Sequence, residues 1–308
     1  MNILDILFTI AINMDNPVRI AVIDTGFGPV DSGHEVTLCD RGHANFLNSP
    51  WFLTPRPNGV PIDSTGHGTA MIGLVEQGAT GLLWGDLSND RMRANLQKLP
   101  SRLYHCQIVV RALSAEIQND DALAIARGVD HAVAFGADVI NISATGEQFN
   151  LPEFISTKRA RGLGVWVVAA AGNEGVSIEE EPRYPASLSH VIGVGAVDVN
   201  DSLDRTRSRV YRHSNYSDGS SGFFTWHFGG GVATIHPRAT FSGSSFIAIT
   251  SGTSAASALY SGELARKISN IRNKVRHYVN RADNMCVSVP TQREINYIRS
   301  REWRTYQK

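Results

Sequence analysis

The sequence predicts an α/β fold, a mostly parallel central β-sheet with helices on both faces, from three observations. Short apolar runs alternate with stretches of helical periodicity along most of the chain, the pattern of strands joined by crossover helices. The first of those runs, Val18–Ile23, reads as a buried strand that ends at an acidic residue, Asp24, where α/β sheets place their sites. And 308 residues suit one large α/β domain or two small ones; a single domain of this length buries roughly three quarters of its unfolded surface, enough for a core without disulfides or metals.

The elements follow in order. After Val18–Ile23, residues Gly66 to Gln77 read as a helix with small and apolar residues toward one side. Leu103–Ala112 (LYHCQIVVRA) is a strand, and Asp120–Phe135 carries apolar residues at three- and four-residue intervals, a helix. Asp138–Ile142 (DVINI), Pro152–Arg161 and Val165–Ala170 read as strand, helix and strand, and Val191–Val197 as one more strand. Between Val199 and Ala248 the chain is rich in Gly, Ser and Arg, which predicts loops rather than regular structure. Thr253–Ile268 is a helix whose first turns are almost all small, suited to burial against a close neighbour. The expected division is an N-terminal extension, residues 1–17, a domain over 18–270, and a basic, helical extension over 271–308.

Composition excludes more than it selects. With 42% hydrophobic and 19% charged residues and a formal net charge of zero, the chain resembles an ordinary soluble protein, with no general attraction to nucleic acid or acidic membranes. The tail is the exception: Arg272, Lys274, Arg276, Arg281, Arg293, Arg299, Arg301, Arg304 and Lys308 face only Asp283, Glu294 and Glu302, which reads as a solvated helical face. Three cysteines, Cys39, Cys106 and Cys286, stand at unrelated spacings, so reduced thiols in a cytosol are expected. Met1–Asn13 is apolar but lacks a basic flank and a small-residue cleavage site, and no run approaches the ~20 apolar residues of a membrane span. A cytoplasmic location is therefore expected.

Three segments carry chemistry together. The strand delivers Asp24 in IAVIDTG, one helix start delivers His67 in GHGTA, and another delivers Ser254 in SGTSAAS. Peptide hydrolysis needs a hydroxyl nucleophile, a base of near-neutral pKa and a buried carboxylate to orient that base. A serine at a helix N-terminus has free backbone N–H groups beside it and a dipole that favours developing negative charge. Gly252 lets the backbone approach a substrate closely. Each piece alone is commonplace, a turn-forming Asp, a helix-start His, a small residue in a packed helix; the combination is specific.

With those residues in place, the chain resembles the subtilase family, whose order of catalytic residues is Asp, His, Ser. VWVVAAAGNEG, Val165–Gly175, is similar to the family's strand and loop carrying the oxyanion asparagine, which falls on Asn173. DVINISATG, Asp138–Gly146, resembles its substrate-binding strand, with Ser143, Ala144 and Thr145 lining the cleft; Ala170, Ala171 and Gly172 are expected to bind substrate too. The resemblance spans roughly Val18–Ile268 and implies a subtilisin-like fold and a serine endopeptidase acting on peptides or proteins without a cofactor in its chemistry; calcium is possible but not predicted. It also implies that Arg183, before Tyr184-Pro185, lies at the base of the pocket for the side chain preceding the scissile bond. There it would attract Asp or Glu, unless Glu179, Glu180 and Glu181 neutralise it first.

The departures lie around the motifs. Ala255 stands where the family usually has Met, Ala70 where it repeats a His, and Thr145 where it has Gly, while Gln77–Ser101 lacks its recognisable calcium pattern. None removes a catalytic group. Two other functions fit the same residues: a peptide ligase or macrocyclase passing the acyl group to an amine, and a silent binding protein using the basic tail to dock a regulatory partner or nucleic acid. Apolar Ile3–Ile12 is further expected either to enter the cleft as an added strand or to cover a sheet edge.

Overall fold

The computed structural model describes residues 16–28, 36–47, 59–63, 65–81, 105–114, 121–199, 204–220, 222–236 and 247–283. The segment Ile3–Ile12, most of the 77–101 loop, Cys286 and the end of the basic tail lie outside these residues. Contacts divide the chain into two units, residues 16–269 and a smaller unit of 1–15 with 270–308. What is described of the smaller unit is helical backbone, 270–283.

The larger unit is built on seven parallel strands: β1 Val18–Asp24, β2 Ala44–Asn45, β3 His105–Arg111, β4 Val139–Ile142, β5 Trp166–Ala170, β6 Ile192–Asp198 and β7 Phe223–Gly230. Their order across the sheet is β2-β3-β1-β4-β5-β6-β7. The helices are α1 His67–Thr80, α2 Asp121–Ala134, α3 Leu151–Gly162 and α4 Thr253–Asp283, and a hairpin, β8 Val232–Ile235 with β9 Ile247–Thr250, stands apart as an antiparallel pair.

Because successive side chains of a strand alternate between faces, each buried strand feeds two cores. Ile20 and Val22 of β1 join Met71, Leu74 and Val75 of α1 and Ala255, Ala256 and Leu259 of α4. Ala21 and Ile23 join Ile125 and Val129 of α2 and Ala160 of α3 on the other face. Helices therefore cover both faces, as predicted. Each fully buried Ile or Leu here contributes about 1.5–3 kcal/mol.

Local signals explain the helix limits. α3 starts where the Asn150 side chain accepts from Glu153 N–H, with Pro152 in the first turn, and α1 stops at Gly81, whose φ of 75° caps it while its N–H donates to Gln77 O.

Three expectations are corrected. The span 199–248, expected to be loops, contains β7 and β8 and leads into β9. Its aromatic run FFTWHF has strong strand propensity and pairs with β6 from Ile192↔Phe223 onward, but Gly, Ser and Arg on either side mask it in composition. The last helix, expected to end at Ile268, continues to Asp283, with no Gly or Pro between those two residues to end it. Cys39 and Cys106, expected to be reduced, form a disulfide. Cys39 N–H donates to Gln107 O beside β3, so the sheet brings together two cysteines 67 residues apart, with Cα atoms 4.9 Å from each other. Sequence spacing carries no trace of such a pairing.

Among the described residues, no helix is long and apolar enough to cross a membrane.

Candidate active site

The chain from β1 goes to one side of the sheet for β2 and β3 and to the other for β4, so the order reverses at β1. The C-terminal edge at such a reversal opens a crevice. Asp24, the last residue of β1, sits there with 1% of its surface exposed. Its Oδ1 accepts from Thr25 N–H at 2.8 Å and lies 2.7 Å from His67 Nδ1, while Oδ2 has no hydrogen-bond partner among the described residues.

His67 opens α1, and the helix can reach β1 because Gly68 has no side chain: a Cβ there would lie 2.3 Å from Gly26 O. A carboxylate only accepts, so in the neutral ring Nδ1 carries the proton and Nε2 is the basic nitrogen. The charge of Asp24 raises the pKa of His67 above its ordinary 6.5; burial opposes this, and the hydrogen bond to Asp24 and the charge of Asp63 add to it. The His67 side chain keeps 40% of its surface open to solvent, so the ring is reachable.

Asp63 anchors this helix start. One oxygen accepts from Thr65 N–H, Gly66 N–H and the Thr25 hydroxyl, each at 2.9 Å, and the other from Thr69 N–H and the Thr69 hydroxyl at 2.9 and 2.6 Å. Sequence reading passed over Asp63, although an acidic residue just ahead of a helix start is a recognisable signal.

Ser254 is the second residue of α4, among the N–H groups that have no acceptor within the helix. Its hydroxyl donates to Ser143 O at 3.0 Å. Ser143 follows Ile142, which pairs with Ile23, so Ser143 stands one strand across from Asp24, about 4.8 Å away in the pairing direction. The nucleophile candidate is thereby tied to the same edge as the Asp24–His67 pair. Beneath it runs a buried polar chain: Asn141 Nδ2 donates to Ser143 Oγ, and Ser261 Oγ of α4 donates to Asn141 Oδ1.

Asn173 joins from the loop after β5. Its Oδ1 accepts from Thr253 N–H at 2.9 Å and the Thr253 hydroxyl at 3.3 Å. With the oxygen so held, the Nδ2 donors are the end of the amide turned elsewhere. Ala170 ends β5, Ala171 N–H donates to Val194 O, and Gly172 N–H donates to Thr253 Oγ1. Across from them, Ser143 and Ala144 are buried and Thr145 half-buried, and Gly146 exchanges two backbone hydrogen bonds of 2.8 Å with Tyr184.

Arg183 immediately precedes Tyr184 and is 7% exposed. Its guanidinium reaches Glu174 and Glu181, both at 3.2 Å, and Glu147 at 3.9 Å. The guanidinium is thus paired with this chain's own carboxylates, Glu174 and Glu147 as well as Glu181 of the 179–181 run. Burial would lower the pKa of Arg183, but Glu181 and Glu174 outweigh it and hold the guanidinium charged. Asn215, buried beneath the 171–176 loop, escaped sequence reading because its neighbourhood looked like unstructured loop.

Among the described residues, no group of three or more His, Cys, Asp or Glu is placed to hold a metal ion. The loop considered for calcium lies mostly outside those residues.

Comparison with known proteins adds the lineage. The sequence model of the subtilase family matches residues 15–283. The chain is 31% identical to Subtilisin DY of Bacillus licheniformis over 186 residues, 59% of this chain and 57% of that protein. It is 30% identical to the Major intracellular serine protease of Bacillus subtilis (strain 168) over 195 residues, 60% of this chain and 53% of that protein. The matched region thus spans little more than half of these relatives. Among solved structures, a lanthipeptide protease superposes with a TM-score of 0.64 at 20% identity, covering 96% of this chain and 82% of that one. Sphericase superposes with a TM-score of 0.60 at 22% identity, covering 83% and 78%. At these identities the structures speak for the fold.

Proposed function

The chain belongs to the subtilase family, and from that premise we propose that it is a serine endopeptidase using Asp24, His67 and Ser254, with Asn173 as an oxyanion donor. The observation that carries the proposal is the buried Asp24 carboxylate 2.7 Å from His67 Nδ1, at the sheet edge where the Ser254 hydroxyl is held on Ser143 O.

Asp24 holds the tautomer that leaves His67 Nε2 basic. As a peptide binds, the Ser254 hydroxyl exchanges Ser143 O for Nε2. Oγ attacks the scissile carbonyl carbon, its proton passes to His67, and the carbonyl electrons move onto oxygen. Ser254 N–H and Asn173 Nδ2 stabilise that oxyanion, each such donor contributing about 2.7–4 kcal/mol. Collapse breaks the C–N bond as His67 protonates the leaving amine, and water, activated by the same Nε2, releases the acyl group.

The proposed substrates are peptides or unfolded proteins, in keeping with the family. A cytoplasmic location draws support from the similarity to an intracellular relative, while the Cys39–Cys106 disulfide argues against it. The test is cleavage of an unstructured protein, with products weighed to distinguish hydrolysis from transfer to an amine. Ser254→Ala should lower kcat about 10⁶-fold, the loss that nucleophile removal causes in subtilisin; cleavage that persists in the purified variant would refute the proposal.

A further inference from the structure

We propose that Asn215 is a positioning residue: a buried amide that fixes the loop 171–176 and thereby aims Asn173. The inference rests on the reading of Asn173 as an oxyanion donor.

Asn215 is fully buried. An asparagine side chain can accept two hydrogen bonds and donate two, and here all four are made within one loop. Oδ1 accepts from Glu174 N–H and Val176 N–H, both at 3.0 Å. Nδ2 donates to Ala171 O at 2.9 Å and Glu174 Oε2 at 2.6 Å. The Asn215 backbone N–H adds a fifth bond, to Gly172 O at 3.0 Å. These partners flank Asn173 on both sides and leave its own side chain to Thr253. Gly172, with φ of 103°, makes room: a Cβ there would lie 2.3 Å from Asn215 Nδ2.

The amide can sit only one way round. Reversed, its NH₂ would face two N–H donors and its oxygen would face a carbonyl and a carboxylate. The bracing extends further, because Glu174 Oε2 also accepts from Arg183 Nε at 3.2 Å and the next residue, Tyr184, pairs with Gly146. One buried side chain is thus linked, through Glu174 and Arg183, to the bridge between Gly146 and Tyr184. An oxyanion donor works only when held at hydrogen-bond distance from where charge develops, and a displacement of about 1 Å costs on the order of 10²-fold in rate.

The test is a double-mutant cycle on the full chain, with kcat and KM measured for Asn215→Asp, Asn215→Ser and Asn173→Ala, singly and combined. Asp keeps the shape of Asn but sets a second carboxylate against Glu174, and Ser removes the amide without adding charge. Expected is a fall in kcat of about 10- to 100-fold, with KM changed less than about threefold. In the Asn173→Ala background the same substitutions should cost less than about threefold, because the group being aimed is gone. Should both Asn215 variants fail to fold, Glu174→Ala, which withdraws one of the four partners from a partly solvent-exposed position, gives the same comparison. Equal losses in both backgrounds, or an unchanged kcat in a folded Asn215 variant, would overturn the positioning role alone. A normal kcat for Asn173→Ala would remove the oxyanion reading and this proposal with it.

Discussion

Asp63→Asn is a change of one atom whose effect can be worked out from the structure. Asp63 is 8% exposed and receives hydrogen bonds on both oxygens. The asparagine would keep its oxygen on the side of Thr25, Thr65 and Gly66, where donors are most numerous, and turn its NH₂ toward Thr69. Thr69 N–H, buried in the first turn of α1, then loses its acceptor, at about 1–3 kcal/mol. The three retained bonds pass from charged to neutral acceptor, about 1 kcal/mol each. Relief from burying a carboxylate returns part of this, leaving a net loss of about 3 kcal/mol. Burial alone would raise the pKa of Asp63, but the bonds from Thr69, Gly66 and Thr65 outweigh it and hold it below 3.8. Its contribution is therefore complete above the ordinary carboxylate range and lost as pH falls through the depressed value. Urea unfolding followed by tryptophan fluorescence, in a Ser254→Ala background to prevent self-cleavage, should give this difference at pH 7 and a smaller one at pH 3. A loss below about 1 kcal/mol, or one undiminished in acid, would refute the reasoning.

Two further outcomes follow from the site. Asp24→Asn removes the main cause holding the His67 pKa above 6.5, so the acid limb of the kcat/KM profile should move to lower pH as the rate falls about 10⁴-fold; a limb that stays in place would separate Asp24 from His67. A peptide library varied at the residue before the scissile bond should show no preference for Asp or Glu, since Arg183 is already engaged by Glu174 and Glu181; clear enrichment of acidic residues would show that the guanidinium reaches substrate.

What could be read in the sequence is what rests on local periodicity. The largely apolar runs at 20–23 and 139–142, interrupted only by Asn141, are strands buried on both faces, and that pattern shows through without neighbours. Asp24 and His67 could be singled out only because IAVIDTG, GHGTA and SGTSAAS occur together in one chain and resemble the motifs of one family. What escaped was set by distant partners. Asn215 and the Cys39–Cys106 bridge acquire meaning only when the sheet brings residues 41 and 67 positions apart together. β7 was hidden because its aromatic run is short and flanked by residues typical of loops, and only pairing with β6 makes it a strand. The reach of Arg183 to Glu174 likewise depends on the fold of the 171–176 loop.

Ser254 is the proposed nucleophile, activated by the Asp24–His67 pair. A fluorophosphonate, which phosphonylates an activated serine with loss of fluoride, tests it directly when the adduct is located by mass spectrometry of the digested protein. A single stoichiometric adduct on Ser254 is expected, absent in Ser254→Ala and strongly slowed in His67→Ala. Labelling at another serine, or no labelling of folded protein that cleaves peptides, would contradict it.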